Sequence, residues 1–217
     1  SKPFYFFCKS RYYMKKDWRK NWKKVWHFIW EDNSIWSWIV NILLAFVLIK
    51  YIVYPGLGFL LMTTHPVVAV VSESMEHNSD FNDWWEKSGK WYAANGIDKG
   101  DFKGFPASNG FNKGDIMVLK GRNPESIEIG DIIVFWSAKK DPIIHRVVKK
   151  WQEGGIYYFQ TKGDNYRTNP VSIRNSLLDE TRISQEQVVG NAVLRIPLLG
   201  YVKIWFVQFL GLFAQKG

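Results

Sequence analysis

With 217 residues, a formal net charge of +9 and one cysteine, the chain has room for one compact domain plus membrane segments, but not for an intramolecular disulfide or a four-cysteine zinc site. Aromatic residues make up 17% of it, too many for an intrinsically disordered chain, so a packed core is expected. The positive charge raises nucleic acid as a partner, and the way that charge is distributed decides against it.

Residues 1–34 carry nine Lys or Arg against Asp17, Glu31 and Asp32, a local excess of six. Trp18, Trp22, Val25, Trp26 and Ile29 recur at helical spacing, while Lys16, Arg19, Lys20, Lys23 and Lys24 fill the remaining faces. The pattern predicts a basic amphipathic helix in the headgroup layer of an anionic bilayer. Aromatics stacking on bases are the competing reading; it is set aside because an apolar span follows at once, so no nucleic-acid partner is expected. The span, expected over 35–62, is long enough for a hydrocarbon core of roughly 30 Å. Asn41 and Lys50 weaken its hydropathy, but a lysine in the last turn can extend its stem and place its amine in the far interface. Pro55 and Gly56 are expected to end the helical pattern. A cleaved signal peptide would have a shorter apolar region and a small-residue cutting site behind it, so a retained anchor is predicted. The basic flank places the N-terminus in the cytoplasm and the remainder outside the cell membrane.

Residues 66–195 read as a β-rich extracytoplasmic domain. Lys113–Leu119 and Ile129–Phe135 are short strands, each opened by Gly-Asp at a turn; Ile143–Val148 and Ile156–Thr161 form a hairpin around Trp151–Gly155. This pairing puts His145 and Asp164 at neighbouring ends of the hairpin. Residues 76–110 are an aromatic, polar insertion of mixed periodicity, read as a partly helical cap. The segment 196–217 is apolar, but from Tyr201 onward it has about 14 residues against the ~20 needed to span, so it is expected as an interfacial, buried or membrane-inserted helix. The fold class predicted is mainly β, anchored by an N-terminal transmembrane helix, with this apolar helix as a possible C-terminal addition.

Three segments carry chemistry. The apolar run from Pro66 ends in Ser72-Glu-Ser74-Met75, Ile144-His-Arg-Val147 follows far along the chain, and Thr161-Lys-Gly-Asp-Asn165 follows that. Amide hydrolysis by a serine needs a base to take the hydroxyl proton, and His145 is the histidine placed to serve Ser74. Asp164 is the expected acid, holding the imidazole in its working tautomer. His77 is three residues from Ser74 but is read as a loop histidine, since triads form by proximity in space; His27 belongs to the flank and His65 to the membrane boundary. No cluster suggests a metal site and no glycine loop suggests a nucleotide, so no cofactor is expected. An extended peptide is expected beside Ala69–Glu73, with Val68, Val70 and Ile144 walling shallow pockets.

The ordered set Ser72-Glu-Ser74-Met75, Gly130-Asp-Ile-Ile-Val-Phe135, Ile144-His-Arg-Val147 and Thr161-Lys-Gly-Asp-Asn165 resembles type I signal peptidase in its archaeal and endoplasmic-reticulum branch, as do Val188–Ala192 and Arg195–Gly200. The insertion after Met75 looks more archaeal. Bacterial members have a lysine where His145 stands, so the resemblance implies a Ser-His enzyme. It implies a signal-peptidase-like β-domain and an oxyanion hole from the Ser74 N–H and the Ser72 hydroxyl. It also implies secretory preproteins as substrates, cut after small residues one and three before the cleavage site. One position departs from the pattern: an aspartate expected six residues after Asp164 is replaced by Pro170. Asp164 then serves as the acid, or Asp179 or Glu180 reaches the site, or a dyad suffices. Two other readings compete. One is a catalytically silent membrane scaffold or accessory subunit of a processing complex, motivated by the missing aspartate. The other is a self-cleaving serine peptidase, whose group uses lysine as base and lacks this anchor.

Overall fold

A computed structural model describes Trp18 and residues 20–201; the remainder of the basic flank and the apolar segment beyond Tyr201 lie outside the described residues. The chain divides into two compact units, Ser1–Gly56 and Leu57–Gly217. Residues 20–30 form helix α1, with Lys20, Lys23 and Lys24 exposed and Trp22, Trp26 and Trp30 exposed as well. A turn leads to Ser34, which caps α2 (Ile35–Leu60) by accepting from Ser37 N at 3.3 Å.

The helix α2 is long and apolar enough to cross a bilayer, with a length of about 39 Å at 1.5 Å per residue. Contrary to expectation, Pro55 and Gly56 do not end it. The helix widens into a π-helical stretch over Ile49–Val53, where Tyr54 N bonds Ile49 O, and then continues as α-helix over Tyr54–Leu60. Proline has no N–H to donate and its ring crowds the carbonyl one turn back. A wider turn ahead of Pro55 accommodates that crowding, so the helix runs past it.

Among the described residues of the second unit, β1 (Val67–Ala69), β2 (Ile116–Lys120), β3 (Ile132–Phe135), β4 (Ile143–Glu153), β5 (Ile156–Lys162), β6 (Ile183–Ser184) and β7 (Val188–Ile196) form one antiparallel sheet in the order β1-β2-β7-β3-β4-β5-β6. The fold is mainly β with an apolar helix ahead of it, the class read from the sequence. The helices α3 (Phe81–Ala94) and α4 (Lys99–Gly104) lie between β1 and β2. Asp80 caps α3 and Asp98 caps α4, the latter in a reciprocal capping box with Asp101.

Strand β3 shows how the sheet is covered. Ile132 and Val134 enter one apolar cluster with Val70, Met75, Met117 and Ile144, while Ile133 and Phe135 enter another with Val147, Phe159, Leu178 and Ile183. Successive residues of a strand face opposite sides, so a strand buried on both faces reads as an unbroken apolar run. A third cluster joins Trp84, Tyr92 and Phe102 of the helices to Val148 of β4. The β4–β5 hairpin closes at Gly154 and Gly155, whose φ angles of 59° and 81° suit a two-residue turn of the primed kind. Strand β4 runs to Glu153, so Trp151 belongs to the strand and not to the turn expected there.

Candidate active site

The nucleophile candidate stands on a turn at the end of β1. Val70 bonds the Gly114–Asp115 backbone in both directions at 2.9 Å, and the chain then reverses, closed by Glu76 N donating to Glu73 O at 3.1 Å. Met75 is 1% exposed and anchors the turn in the core. Ser74 is half-buried, and its Oγ lies 3.0 Å from Ser72 Oγ. Asn165 grips the turn from outside: its side chain donates to Glu73 O and its N–H to Ser74 O, both at 2.8 Å. A Cβ on Gly163 would come within 2.7 Å of Ser74 O, so only glycine permits this approach. The Ser74 N–H is engaged by no described residue.

His145 reaches the same cleft from β4. Val70, Ser72, Ser74, Ile144, His145 and Asn169 line this cleft of about 490 Å³. The imidazole is almost wholly buried, and its Nδ1 is hydrogen-bonded to Glu180 Oε1. Thr161 Oγ1 donates to the same oxygen at 3.1 Å, and Ile173 N donates to Glu180 Oε2 at 2.7 Å. Both carboxylate oxygens are therefore held, and Glu180 is fully buried. A carboxylate on Nδ1 keeps the proton there and leaves Nε2 as the ring's proton acceptor.

The expected partnership of His145 with Asp164 is not present, because the two point to opposite faces of the hairpin. Arg146, next along β4, pairs in register with Lys162 of β5 and shares its face. Asp164 belongs to that face: it takes Arg146 Nη2 at 2.6 Å, Arg146 Nε at 3.0 Å and Tyr92 OH at 2.9 Å. Asp179 is exposed and occupied by Thr181 and Arg174, whereas its neighbour Glu180 points inward. Of the pocket candidates, Val70 and Ile144 line the cleft, while Val68 packs against the core beside Met117. His77 lies in a loop, as read from the sequence, but it is buried there: it stacks on Trp84 with ring centroids 3.8 Å apart and meets Asp164 Oδ2 at 3.4 Å.

Burial alone would raise the Asp164 pKa, but the Arg146 charge and the hydrogen bonds from His77 and Arg146 bring it far below the ordinary carboxylate range. Burial and the nearby Asp164 charge push Tyr92 well above 10.0. Burial lowers Lys162 to about 8, against the pull of Asp164 and Glu180. Its ammonium sits over the Trp91 and Tyr92 rings and donates to Gly163 O at 2.8 Å. With a folded pKa below the unfolded one, the folded chain releases this proton first, so stability rises with pH above about 8. Chemical denaturation in detergent from about pH 8 to 9.5, below the ordinary tyrosine range, is expected to show this rise in the parent and its loss in Lys162→Met. Equal slopes would assign the effect elsewhere. Among the described residues, no group of three His, Cys, Asp or Glu is arranged to hold a metal.

Chemically, the cleft brings a serine on an exposed turn, an unengaged N–H, a second hydroxyl and a carboxylate-held imidazole to one place. No protein-family model matches the chain. It is 33% identical over 96 residues to the signal peptidase complex catalytic subunit of Pyricularia oryzae, covering 43% of this chain and 55% of that protein. It is 28% identical over 156 residues to that of Fusarium vanettenii, and 28% over 163 residues to that of Yarrowia lipolytica, covering 71% and 73% of each chain. The chain thus spans little more than half the length of the Pyricularia protein and of its Colletotrichum graminicola counterpart, where the figure is 58%. These relatives are fungal and lend no support to the archaeal side of the resemblance.

Proposed function

We propose that the chain is a membrane-anchored serine endopeptidase that removes signal peptides from secretory preproteins. The observation that carries this reading is the cleft shared by Ser74 and His145, with Glu180 bound to the imidazole Nδ1. The likeness to signal peptidase catalytic subunits supports it. His145 Nε2 takes the Ser74 proton as Oγ attacks the scissile carbonyl. The Ser74 N–H and the Ser72 hydroxyl stabilise the resulting oxyanion, and Glu180 stabilises the imidazolium. The imidazolium then protonates the leaving amine, and water activated by His145 releases the acyl group from Ser74. The preprotein runs as an extended strand along Ala69–Glu73, with Val70 and Ile144 limiting side-chain size before the cut. The helix α2 anchors the enzyme, with the basic flank on the cytoplasmic side.

Cleavage of a signal-peptide-bearing preprotein in liposomes tests the reading. Parent enzyme is expected to cut after a small residue, and Ser74→Ala and His145→Ala each to lose at least about 10³-fold in rate. Activity that survives without Ser74 would name another nucleophile. An acylating probe that leaves Ser74 unlabelled would return the chain to the scaffold reading. Glu180 on His145 offers an acid where Pro170 replaces the expected aspartate, which weighs against that alternative.

A further inference from the structure

The first unit carries a feature that peptide hydrolysis does not use. Trp18, Trp22, Trp26 and Trp30 recur every fourth residue and are 68%, 58%, 56% and 69% exposed. The Trp18 and Trp22 rings stack at 5.7 Å and those of Trp26 and Trp30 approach at 5.6 Å, so the ridge consists of two indole pairs in succession. Single exposed aromatics are ordinary, but a ridge of four marks a binding surface. Lys20 and Lys24 are exposed on the side away from the indoles, and exposed Lys23 borders the ridge. Indoles on one side and ammonium groups on another suit a boundary between hydrocarbon and anionic headgroups. A strand of nucleic acid would need both kinds of side chain on a single face.

The join between α1 and α2 identifies the occupant. Only a short turn separates α1 from a helix that can cross a bilayer, so the ridge lies where a bilayer surface would be. Two side chains of α2, one turn apart, are committed to the end of α1: Ser37 Oγ donates to Phe28 O at 2.6 Å and Asn41 Nδ2 to Ile29 O at 2.8 Å. The last carbonyls of a helix have no partner within it, and these two find theirs in the span. Ser37 is the one buried residue of Ile35–Leu48, and Asn41 is half-buried. The polar residue that weakens the span's hydropathy thus serves as a joint, and its amide is not left bare in hydrocarbon.

We propose that α1 is an anionic-lipid-binding arm lying in the headgroup layer, indole ridge toward the acyl chains and lysines toward the phosphates, locked to the span by Ser37 and Asn41. The proposal is independent of the peptidase chemistry.

The test uses the full chain with its native thiol removed by Cys8→Ser and a nitroxide attached at Trp26→Cys or Lys24→Cys. Each protein is reconstituted in phosphatidylcholine vesicles and in mixed phosphatidylcholine–phosphatidylglycerol vesicles. The label at position 26 is expected to favour oxygen as relaxant and the label at position 24, nearly opposite on the helix, a water-soluble nickel chelate. The contrast should grow in the anionic mixture, and added salt should remove that increment. Equal nickel accessibility at both positions would overturn the proposal in favour of a solvated flank. Dipolar broadening between labels at position 26 would overturn it in favour of a second copy of the chain. Protection of position 24 by added RNA but not by anionic lipid would assign the basic face to nucleic acid. Adding Asn41→Leu is expected to increase nitroxide mobility at both positions; unchanged mobility would overturn the joint.

Discussion

Replacing Glu180 by Gln is expected to lower kcat for preprotein cleavage by about 10²- to 10⁴-fold while leaving KM nearly unchanged. The substitution keeps the volume and removes the charge. In the parent, Glu180 Oε1 binds His145 Nδ1 and Thr161 Oγ1 while Oε2 holds Ile173 N, so the carboxylate is oriented before substrate arrives. An amide in its place can present its own N–H to Nδ1, which drives the imidazole toward the tautomer that cannot accept the Ser74 proton at Nε2. It also fails to stabilise the imidazolium. Asp179→Asn is the matched control, because that carboxylate is exposed and serves Thr181 and Arg174; its activity should stay near the parent's. Single-turnover kinetics on folded protein would decide the matter. A Glu180→Gln enzyme that keeps the parental kcat would mean that Ser74 and His145 act as a dyad.

The long apolar helix and the strands were legible because they depend on local pattern: length and hydropathy for Ile35–Leu60, unbroken apolar runs for Ile132–Phe135. The carboxylate at His145 was legible only as one alternative among Asp164, Asp179 and Glu180, for a geometric reason. His145 and Asp164 belong to adjacent strand segments and their spacing suggests contact, yet the alternation of β4 and β5 sends Asp164 to the face of Arg146 and Lys162. Glu180 arrives from a separate loop, fixed by Thr161 N donating to Glu180 O and Glu180 N donating to Ile173 O. Nothing in Leu178-Asp-Glu180 distinguishes the exposed carboxylate from the buried one; only the tertiary contacts do. The insertion was ambiguous because Trp84, Tyr92 and Phe102 are spent on the sheet and on Asp164, which obscures any simple amphipathic stripe. Pro55 misled for the opposite reason, since a local rule was overridden by a local widening of the helix.

The second large effect lies beneath the insertion. Arg146→Leu is expected to destabilise the folded protein by about 3–5 kcal/mol, the range seen when one partner of a buried ion pair is removed. Arg146 and Asp164 are both fully buried, and the guanidinium also serves Pro106 O and Gly130 O through Nη1 and Ala107 O through Nη2, at 2.8 to 3.0 Å. Its loss strands the buried Asp164 carboxylate and takes the donor from the buried Gly130 carbonyl. The depressed Asp164 pKa sets the pH dependence: its contribution is complete above the unfolded aspartate value of about 4 and is lost as pH falls toward the lower folded value. The deficit of Arg146→Leu relative to the parent should therefore narrow as pH falls below about 4, because protonation relieves the carboxylate that has lost its partner. The double variant Arg146→Leu/Asp164→Leu should recover part of the loss, because no charge is left buried without its partner. The same hub supports catalysis indirectly: Trp84 Nε1 donates to Asp164 O at 3.0 Å, and the next residue, Asn165, holds the carbonyls of Glu73 and Ser74. A shift in Asp164 moves the nucleophile turn, so activity in Arg146→Leu should fall at temperatures well below its unfolding. Additive losses in the double variant, or an Arg146→Leu protein as stable as the parent, would show that the ion pair does not hold this face together.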